Sequence, residues 1–164
     1  METKISQLIG KGYCVFDQAL KEEVLGKITV VSRQAVGKLS IEHRNKNKSQ
    51  GSLELIADYP DFGMLIGNEE IIEIFRILGF GDTRFSSGYI ISKPKKSPAL
   101  FWHQDWWGWD HPLSFTDQIA QVFVMIYLQD TNIENGCLRV IPGSHRSFHS
   151  LHLNQSAHTE SVSR

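Results

Sequence analysis

The stretch FWHQDWWGWDHP, residues 101–112, decides how the rest of the chain is interpreted. It places an imidazole and a carboxylate two residues apart, at His103 and Asp105. Residues i and i+2 of an extended strand point to the same face, so both side chains can reach one metal ion. A His-x-Asp pair that a second His completes is the facial triad of non-haem Fe(II), which leaves open coordination positions. The pair therefore predicts a metal site that needs a third ligand.

The surroundings of the pair carry much of this argument, because an isolated His-x-Asp occurs easily by chance. Four Trp crowd the pair and alternate with charged residues, and a core strand does not show that pattern because a buried unpaired charge is costly. A concave site with aromatic walls and a few converging polar groups does show it. Ordinary core packing of the rings is the alternative. The candidate substrate wall consists of Trp102, Trp106, Trp107 and Trp109.

Composition indicates an ordinary globular protein of one domain, with 164 residues, 41% of them hydrophobic, 21% charged and a net charge of −1. Near-neutral charge argues against nucleic acid as the main partner. The two Cys form no disulfide framework, which fits a reducing compartment. We find neither a signal peptide nor a membrane-spanning run, so we expect a cytoplasmic protein without membrane contact.

The first 80 residues predict mainly helices. A short helix stops at Gly10 and Gly12, and an apolar stripe over residues 17–39 predicts a longer helix that Asp17 caps. The basic run within residues 41–52 reads as a solvated loop, although it could also contact an anionic substrate.

A third helix and then a series of strands complete the pattern. Asn68 is a good N-cap, and Gly79 is suited to end the helix that follows it. Residues 85–92, 121–128 and 137–141 predict strands, in addition to the strand that carries His103. We expect an α+β, mainly β fold with a helical part at 1–80, a sheet core at 81–148 and a polar tail at 149–164.

Two motifs together resemble the phytanoyl-CoA dioxygenase family. They are HQD at residues 103–105 and NGCLRVIPGSH at residues 135–145, separated by the apolar run of residues 121–130. Gly12 and Tyr13, before a short strand and a helix, resemble the N-terminus of that family. The resemblance implies a double-stranded β-helix (jelly roll) with N-terminal helices. It also implies a dioxygenase that uses Fe(II), 2-oxoglutarate and O2 to hydroxylate a small organic substrate.

The resemblance implies a role for individual residues. His103 and Asp105 would be the first two iron ligands. Gln104 occupies a position near the cosubstrate, although strand alternation would turn it away from the metal. Tyr89 and Met125 fall where family members contact 2-oxoglutarate.

The sequence departs from the family pattern after these residues. The distal His ligand and the Arg that anchors 2-oxoglutarate are expected on later strands, and we find neither before Arg164; only about five of about eight strands are present. We therefore expect a truncated chain with an incomplete jelly roll that self-associates through an uncovered edge. His149, His152 and His158 lie in the polar tail without the periodicity of a fixed element, and His145 fits a structural hydrogen bond better than a third ligand.

Three classes of function remain open. The first is an Fe(II)- and 2-oxoglutarate-dependent dioxygenase. The second is a non-catalytic remnant of such an enzyme that acts as an interaction module. The third is another metalloenzyme such as a zinc hydrolase, which no His-Glu-x-x-His or Cys-x-x-Cys spacing supports.

Overall fold

The computed structural model describes residues 2–47, 52–100, 102–105 and 112–151. The chain divides into two compact units. The helical unit is Phe16–Leu100, and the motif unit combines Met1–Val15 with Phe101–Arg164. Each unit is described by itself.

The long helix of the helical unit forms because its apolar and small residues recur on one face. Ile28, Ser32 and Ala35 are its buried residues, at the spacing of four and three that places them on the same side. Glu22 and Glu23 lie in the first turn, where negative charge is favoured by the helix dipole. The described α-helices of this unit are α2 (Glu22–Gly37), α3 (Ile41–Lys46), α4 (Gly63–Ile66) and α5 (Glu69–Ile77).

Helix α5 confirms the prediction made from its capping residues. The Asn68 side chain accepts a hydrogen bond from the amide of Ile71 at 3.0 Å, as an N-cap does. Gly79 follows the helix with a φ of +81°, a left-handed conformation that glycine adopts without a steric penalty. Ile71 is buried on the inner face of the helix.

Two expectations for the helical unit are wrong. Asp17 does not cap α2, which begins at Glu22 after Lys21. Gln18 has a φ of +52° there, and a left-handed residue interrupts a right-handed helix. The basic run is not entirely a loop either, because Ser40 accepts a hydrogen bond from the amide of His43 and caps helix α3.

The helical unit also contains a small antiparallel sheet. β1 (Glu54–Leu55) pairs with β2 (Tyr89–Ile90), with Glu54 opposite Ile90 and Leu55 opposite Tyr89. Fully buried Ser52 extends the pairing, since its hydroxyl donates to the Ile90 carbonyl at 2.8 Å and accepts from the Ser92 amide at 2.9 Å. Around this sheet and the helices lies a core of Ile28, Ala35, Ile56, Phe62, Ile71, Leu78 and Ile90.

The motif unit begins with helix α1 (Lys4–Lys11). The Thr3 hydroxyl accepts from the amide of Ser6 at the start, and Gly12, with a φ of +84°, ends the helix, as its sequence predicts. Gly10 lies inside the helix rather than stopping it. The other regular elements among the described residues of this unit are the 3-10 turns Pro112–Phe115 and Ser144–Arg146.

Three of the predicted strands are absent, and a fourth is much shorter than predicted. Described residues 102–105, 121–128 and 137–141 contain no strand, and residues 85–92 form only the two-residue β2. A strand needs hydrogen bonds to a neighbouring strand, and an apolar run alone does not supply that neighbour. Phe123, Val124 and Met125 are about half exposed rather than buried on both faces.

The mainly β architecture is accordingly absent from the described residues, which form one two-stranded sheet. The jelly roll stays a prediction. No helix in the described ranges is both long and apolar enough to cross a membrane.

Candidate metal-binding site

His103 and Asp105 converge as their spacing predicts. The Nε2 atom of His103 lies 3.3 Å from the Oδ1 atom of Asp105. Both side chains remain partly exposed, at 34% and 53%. The i, i+2 geometry therefore brings the two donor atoms together although no strand is formed.

This separation fits a shared metal ion. Imidazole nitrogen and carboxylate oxygen bind divalent metals at roughly 2.0–2.2 Å, so two ligands at a right angle stand about 3 Å apart. The donor atoms are already near that distance, and their exposure leaves a route for the ion. The same distance also fits an ordinary His–Asp ion pair, so the geometry permits metal binding without requiring it.

A third ligand does not join the pair within the described ranges. Those residues contain no group of three or more His, Cys, Asp or Glu that could hold a metal ion. His149 is among them, and the backbone amide of Leu151 donates to its Nδ1 atom at 3.1 Å. His152 and His158 lie outside the described residues.

Two contacts fix the backbone around the pair. The side-chain amide of Gln104 donates to the Ser144 carbonyl at 3.0 Å. The guanidinium carbon of Arg139 lies 5.3 Å from the centre of the Trp102 ring, a cation–π distance. Both partners belong to the second sequence motif, so the two motifs meet in the structure.

His145 is a structural hydrogen-bonding residue, as its sequence context predicts. Its Nε2 atom lies 2.9 Å from the Ile9 carbonyl oxygen. A carbonyl can only accept, so Nε2 is the donor of this hydrogen bond. Nδ1 is buried and finds no hydrogen-bond partner among the described residues.

Tyr89 and Met125, the residues predicted to contact 2-oxoglutarate, belong to different units. Tyr89 lies in β2 of the helical unit and is about half exposed, and Met125 is exposed in the motif unit. The hydroxyl of Tyr127 lies 3.9 Å from the Met125 sulfur. Contact of Tyr89 and Met125 with 2-oxoglutarate stays a prediction.

Trp102 is the member of the predicted aromatic wall that lies among the described residues, and the Arg139 guanidinium lies over its ring. Trp106, Trp107 and Trp109 lie outside the described residues. Sequence reasoning missed Arg139 and Ser144, although the co-occurrence of the two motifs was a signal that their residues meet.

The chain is similar to known proteins over most of its length. The family model for phytanoyl-CoA dioxygenase (PhyH) matches residues 10–161. A probable alpha-ketoglutarate-dependent hypophosphite dioxygenase of Stutzerimonas stutzeri is 25% identical over 153 residues, which cover 85% of this chain and 52% of the relative. The chain thus spans about half the length of that curated relative. No solved structure gives a significant match.

With its His-x-Asp pair and the contacts around that pair, the chain is a candidate protein that binds a divalent metal ion. The match over most of its length is more specific: the chain belongs to the phytanoyl-CoA dioxygenase family. Family and relative together imply Fe(II), 2-oxoglutarate and O2 as the cofactor and cosubstrates.

Proposed function

We propose that this chain contributes the His-x-Asp half of the active site of an Fe(II)- and 2-oxoglutarate-dependent dioxygenase that hydroxylates a small organic substrate. The observation that carries the proposal is the 3.3 Å approach of His103 Nε2 to Asp105 Oδ1. It occurs inside the region that the family model matches.

Bound Fe(II) would supply the redox chemistry in which O2 oxidises 2-oxoglutarate and the substrate. The chain's own residues would bind the metal ion and orient its ligands. His103 presents an imidazole nitrogen and Asp105, two positions later, a carboxyl oxygen. Gln104, anchored on the Ser144 carbonyl, restricts the backbone between them. Holding both ligands in advance reduces the ordering that metal binding requires.

The third metal ligand and the anchor for the far carboxylate of 2-oxoglutarate are separate parts of the proposal. We infer that the third ligand does not come from the described residues, since no three-ligand group occurs there. Two ligands hold a divalent metal loosely, and a carboxylate without a bidentate Arg loses a planar partner that Lys does not reproduce. We therefore expect this chain alone to turn over 2-oxoglutarate feebly or not at all.

The test is succinate release from 2-oxoglutarate with Fe(II), ascorbate and O2, compared between the wild-type chain and Asp105→Ala. Asp82→Ala is the matched control, because Asp82 is an exposed aspartate of the helical unit. Binding of Mn(II), measured by electron paramagnetic resonance, should weaken in Asp105→Ala and not in Asp82→Ala. Equal Mn(II) binding in all three proteins would overturn the metal site.

Succinate clearly above the Asp105→Ala background would show that the chain completes its own site. His149→Ala, His152→Ala and His158→Ala would then identify the residue responsible. The substrate panel should include hypophosphite, because the relative is named for it, beside small organic acids.

A second candidate is a non-catalytic remnant that acts as an interaction module. Exposed apolar side chains in the motif unit favour it, including Phe123, Val140 and Ile133, the last 92% exposed. Exposed apolar side chains are prone to association. We propose that the chain self-associates through this region. Sedimentation velocity should show dimers or larger species that Phe123→Ser reduces, while a monodisperse wild-type monomer would contradict association.

Location in the cytoplasm is also part of the proposal. It rests on the absence of a disulfide framework, since Cys14 and Cys137 are both free thiols. Fractionation of cells that express a tagged chain tests it.

A further inference from the structure

The turn at Gly143–Arg146 contacts two parts of the motif unit at once. One side of the turn faces the end of helix α1, and the other side holds Gln104. The turn therefore connects the segment of the proposed metal ligands to the N-terminal helix through hydrogen bonds on both of its sides.

On the helix side, the turn binds the carbonyls that α1 leaves without a helical partner. The Gly143 amide donates to the Lys11 carbonyl at 2.9 Å, and His145 Nε2 donates to the Ile9 carbonyl at 2.9 Å. Terminal carbonyls of a helix need such donors, so the two bonds fix the helix end to the turn.

Close packing adds to these hydrogen bonds. A Cβ atom built on Gly12 would stand only 2.6 Å from His145 Nδ1, so the imidazole lies directly against the glycine backbone. Gly12 also has a φ of +84°, which side-chain-bearing residues adopt with strain. Glycine at this position is required both by the backbone and by the imidazole.

On the ligand side, the turn holds Gln104. The Ser144 carbonyl, between the two donors that bind α1, accepts the hydrogen bond of Gln104 Nε2 at 3.0 Å. Gln104 lies between His103 and Asp105 in the chain, so its side chain anchors the peptide that spaces the two ligands. A shift of the turn would move that anchor.

We propose that helix α1 is a positioning element for the His103–Asp105 pair, acting through the Gly143–Arg146 turn and Gln104. This inference rests on the proposed metal site and extends it to a part of the chain that touches neither ligand. Residues that orient metal ligands from outside the coordination shell commonly change metal affinity by roughly 10- to 100-fold when they are replaced.

The first test compares two glycines of the same segment in the full chain. Gly12→Ala places a methyl group against His145, whereas Gly10→Ala adds one where nothing lies within 4 Å. We expect Gly12→Ala to shift the side-chain amide resonance of Gln104 and to raise the Mn(II) dissociation constant by roughly 10-fold. Gly10→Ala should change neither. The Gln104 resonance is assigned from its loss in Gln104→Met.

A second pair of variants keeps the inference testable if Gly12→Ala does not fold. His145→Leu introduces an apolar side chain of similar size that cannot donate to the Ile9 carbonyl. His145→Gln introduces a side-chain amide that can donate to it. We expect His145→Leu to weaken Mn(II) binding and His145→Gln to restore most of it. A role of His145 in packing alone would give the two variants the same affinity.

The outcomes separate the inference from the proposed function. If the wild-type chain and Asp105→Ala bind Mn(II) equally, the proposed metal site fails, and the Gln104 resonance, which needs no metal, decides the inference. If the wild-type chain binds Mn(II) but Gly12→Ala and His145→Leu leave both the resonance and the affinity unchanged, α1 is no positioning element. A response to Gly10→Ala equal to that of Gly12→Ala would overturn the inference as well.

Discussion

The helical unit and the motif unit differ in where their apolar side chains lie. All seven buried hydrophobic residues found in the described ranges, from Ile28 to Ile90, belong to the helical unit. The motif unit contains the family motifs and the candidate ligands, yet Phe123, Val124 and Leu138 are about half exposed there. The two sequence motifs thus lie in a different unit from the buried hydrophobic residues of the described ranges.

A folded enzyme usually both buries apolar side chains and pairs its polar groups, and here the two features differ between the units. The helical unit buries apolar side chains in a core formed by its helices and one short sheet. In the motif unit, specific polar groups such as the Gln104 amide and the Lys11 carbonyl have hydrogen-bond partners, whereas its described residues include no buried hydrophobic residue. Polar contacts of this kind contribute only about 1 kcal/mol each, so the motif unit should contribute less to the stability of the chain.

The largest expected effect comes from replacing one phenylalanine in each unit. Phe62 is 4% exposed and Phe123 is 56% exposed. Phe62→Ala should lower the free energy of unfolding by about 3–5 kcal/mol, because it removes a buried ring and leaves a cavity. Phe123→Ala should lower it by less than about 0.5 kcal/mol. Urea unfolding followed by circular dichroism measures both, and equal losses would remove the distinction between the units.

How far the sequence predicts the structure depends on whether an element is determined by its own neighbours in the chain. Helix α5 could be predicted because Asn68 and Gly79 act on their own neighbours, and the same holds for Gly12 at the end of α1. The run at residues 121–128 shows only that the segment is apolar. Strand formation there depends on a distant partner that the run does not specify.

The candidate site was predictable to a similar extent. The meeting of His103 and Asp105 follows from their separation of two residues. Their support does not, because Ser144 and Arg139 lie 40 and 37 positions from the residues that they contact, Gln104 and Trp102. No local pattern determines which distant carbonyl or guanidinium meets a given side chain. A third ligand is non-local in the same way.

A smaller effect should come from the buried hydroxyl that joins the two strands. Ser52→Ala removes the donor to the Ile90 carbonyl and the acceptor for the Ser92 amide. Buried groups left without partners cost about 1–3 kcal/mol in the free energy of unfolding. Ser86→Ala, at an exposed serine before β2, is the control and should change little. Equal urea midpoints for Ser52→Ala and the wild-type chain would contradict burial of this hydroxyl.

The capping residues allow a direct comparison of one helix from each unit. Asn68→Ala should cost about 1 kcal/mol, because it removes the cap of α5, which packs Ile71 into the core. Thr3→Ala removes a longer bond of 3.2 Å from α1, which has no buried residue, so about 0.5 kcal/mol is expected. Urea unfolding measures both costs. A larger cost for Thr3→Ala would mean that α1 is more tightly packed than its exposure indicates.

The smallest expected effect is a pH-dependent one on the surface of the helical unit. Lys21 Nζ lies 2.8 Å from Glu70 Oε1, and this hydrogen-bonded contact, with a further one from Asn68, lowers the pKa of the Glu70 carboxyl below its ordinary value of 4.5. A carboxyl whose pKa is lower in the folded state stabilises fully above 4.5 and loses that contribution as the pH falls through the folded pKa. Glu70→Gln should therefore lower the melting temperature slightly at about pH 6, and the difference from the wild-type chain should shrink at about pH 3. Glu69→Gln is the matched control, since it removes the same charge from the first turn of α5 without the Lys21 contact. If Glu69→Gln and Glu70→Gln gave the same melting curves at both pH values, the effect would belong to the helix dipole and not to the ion pair.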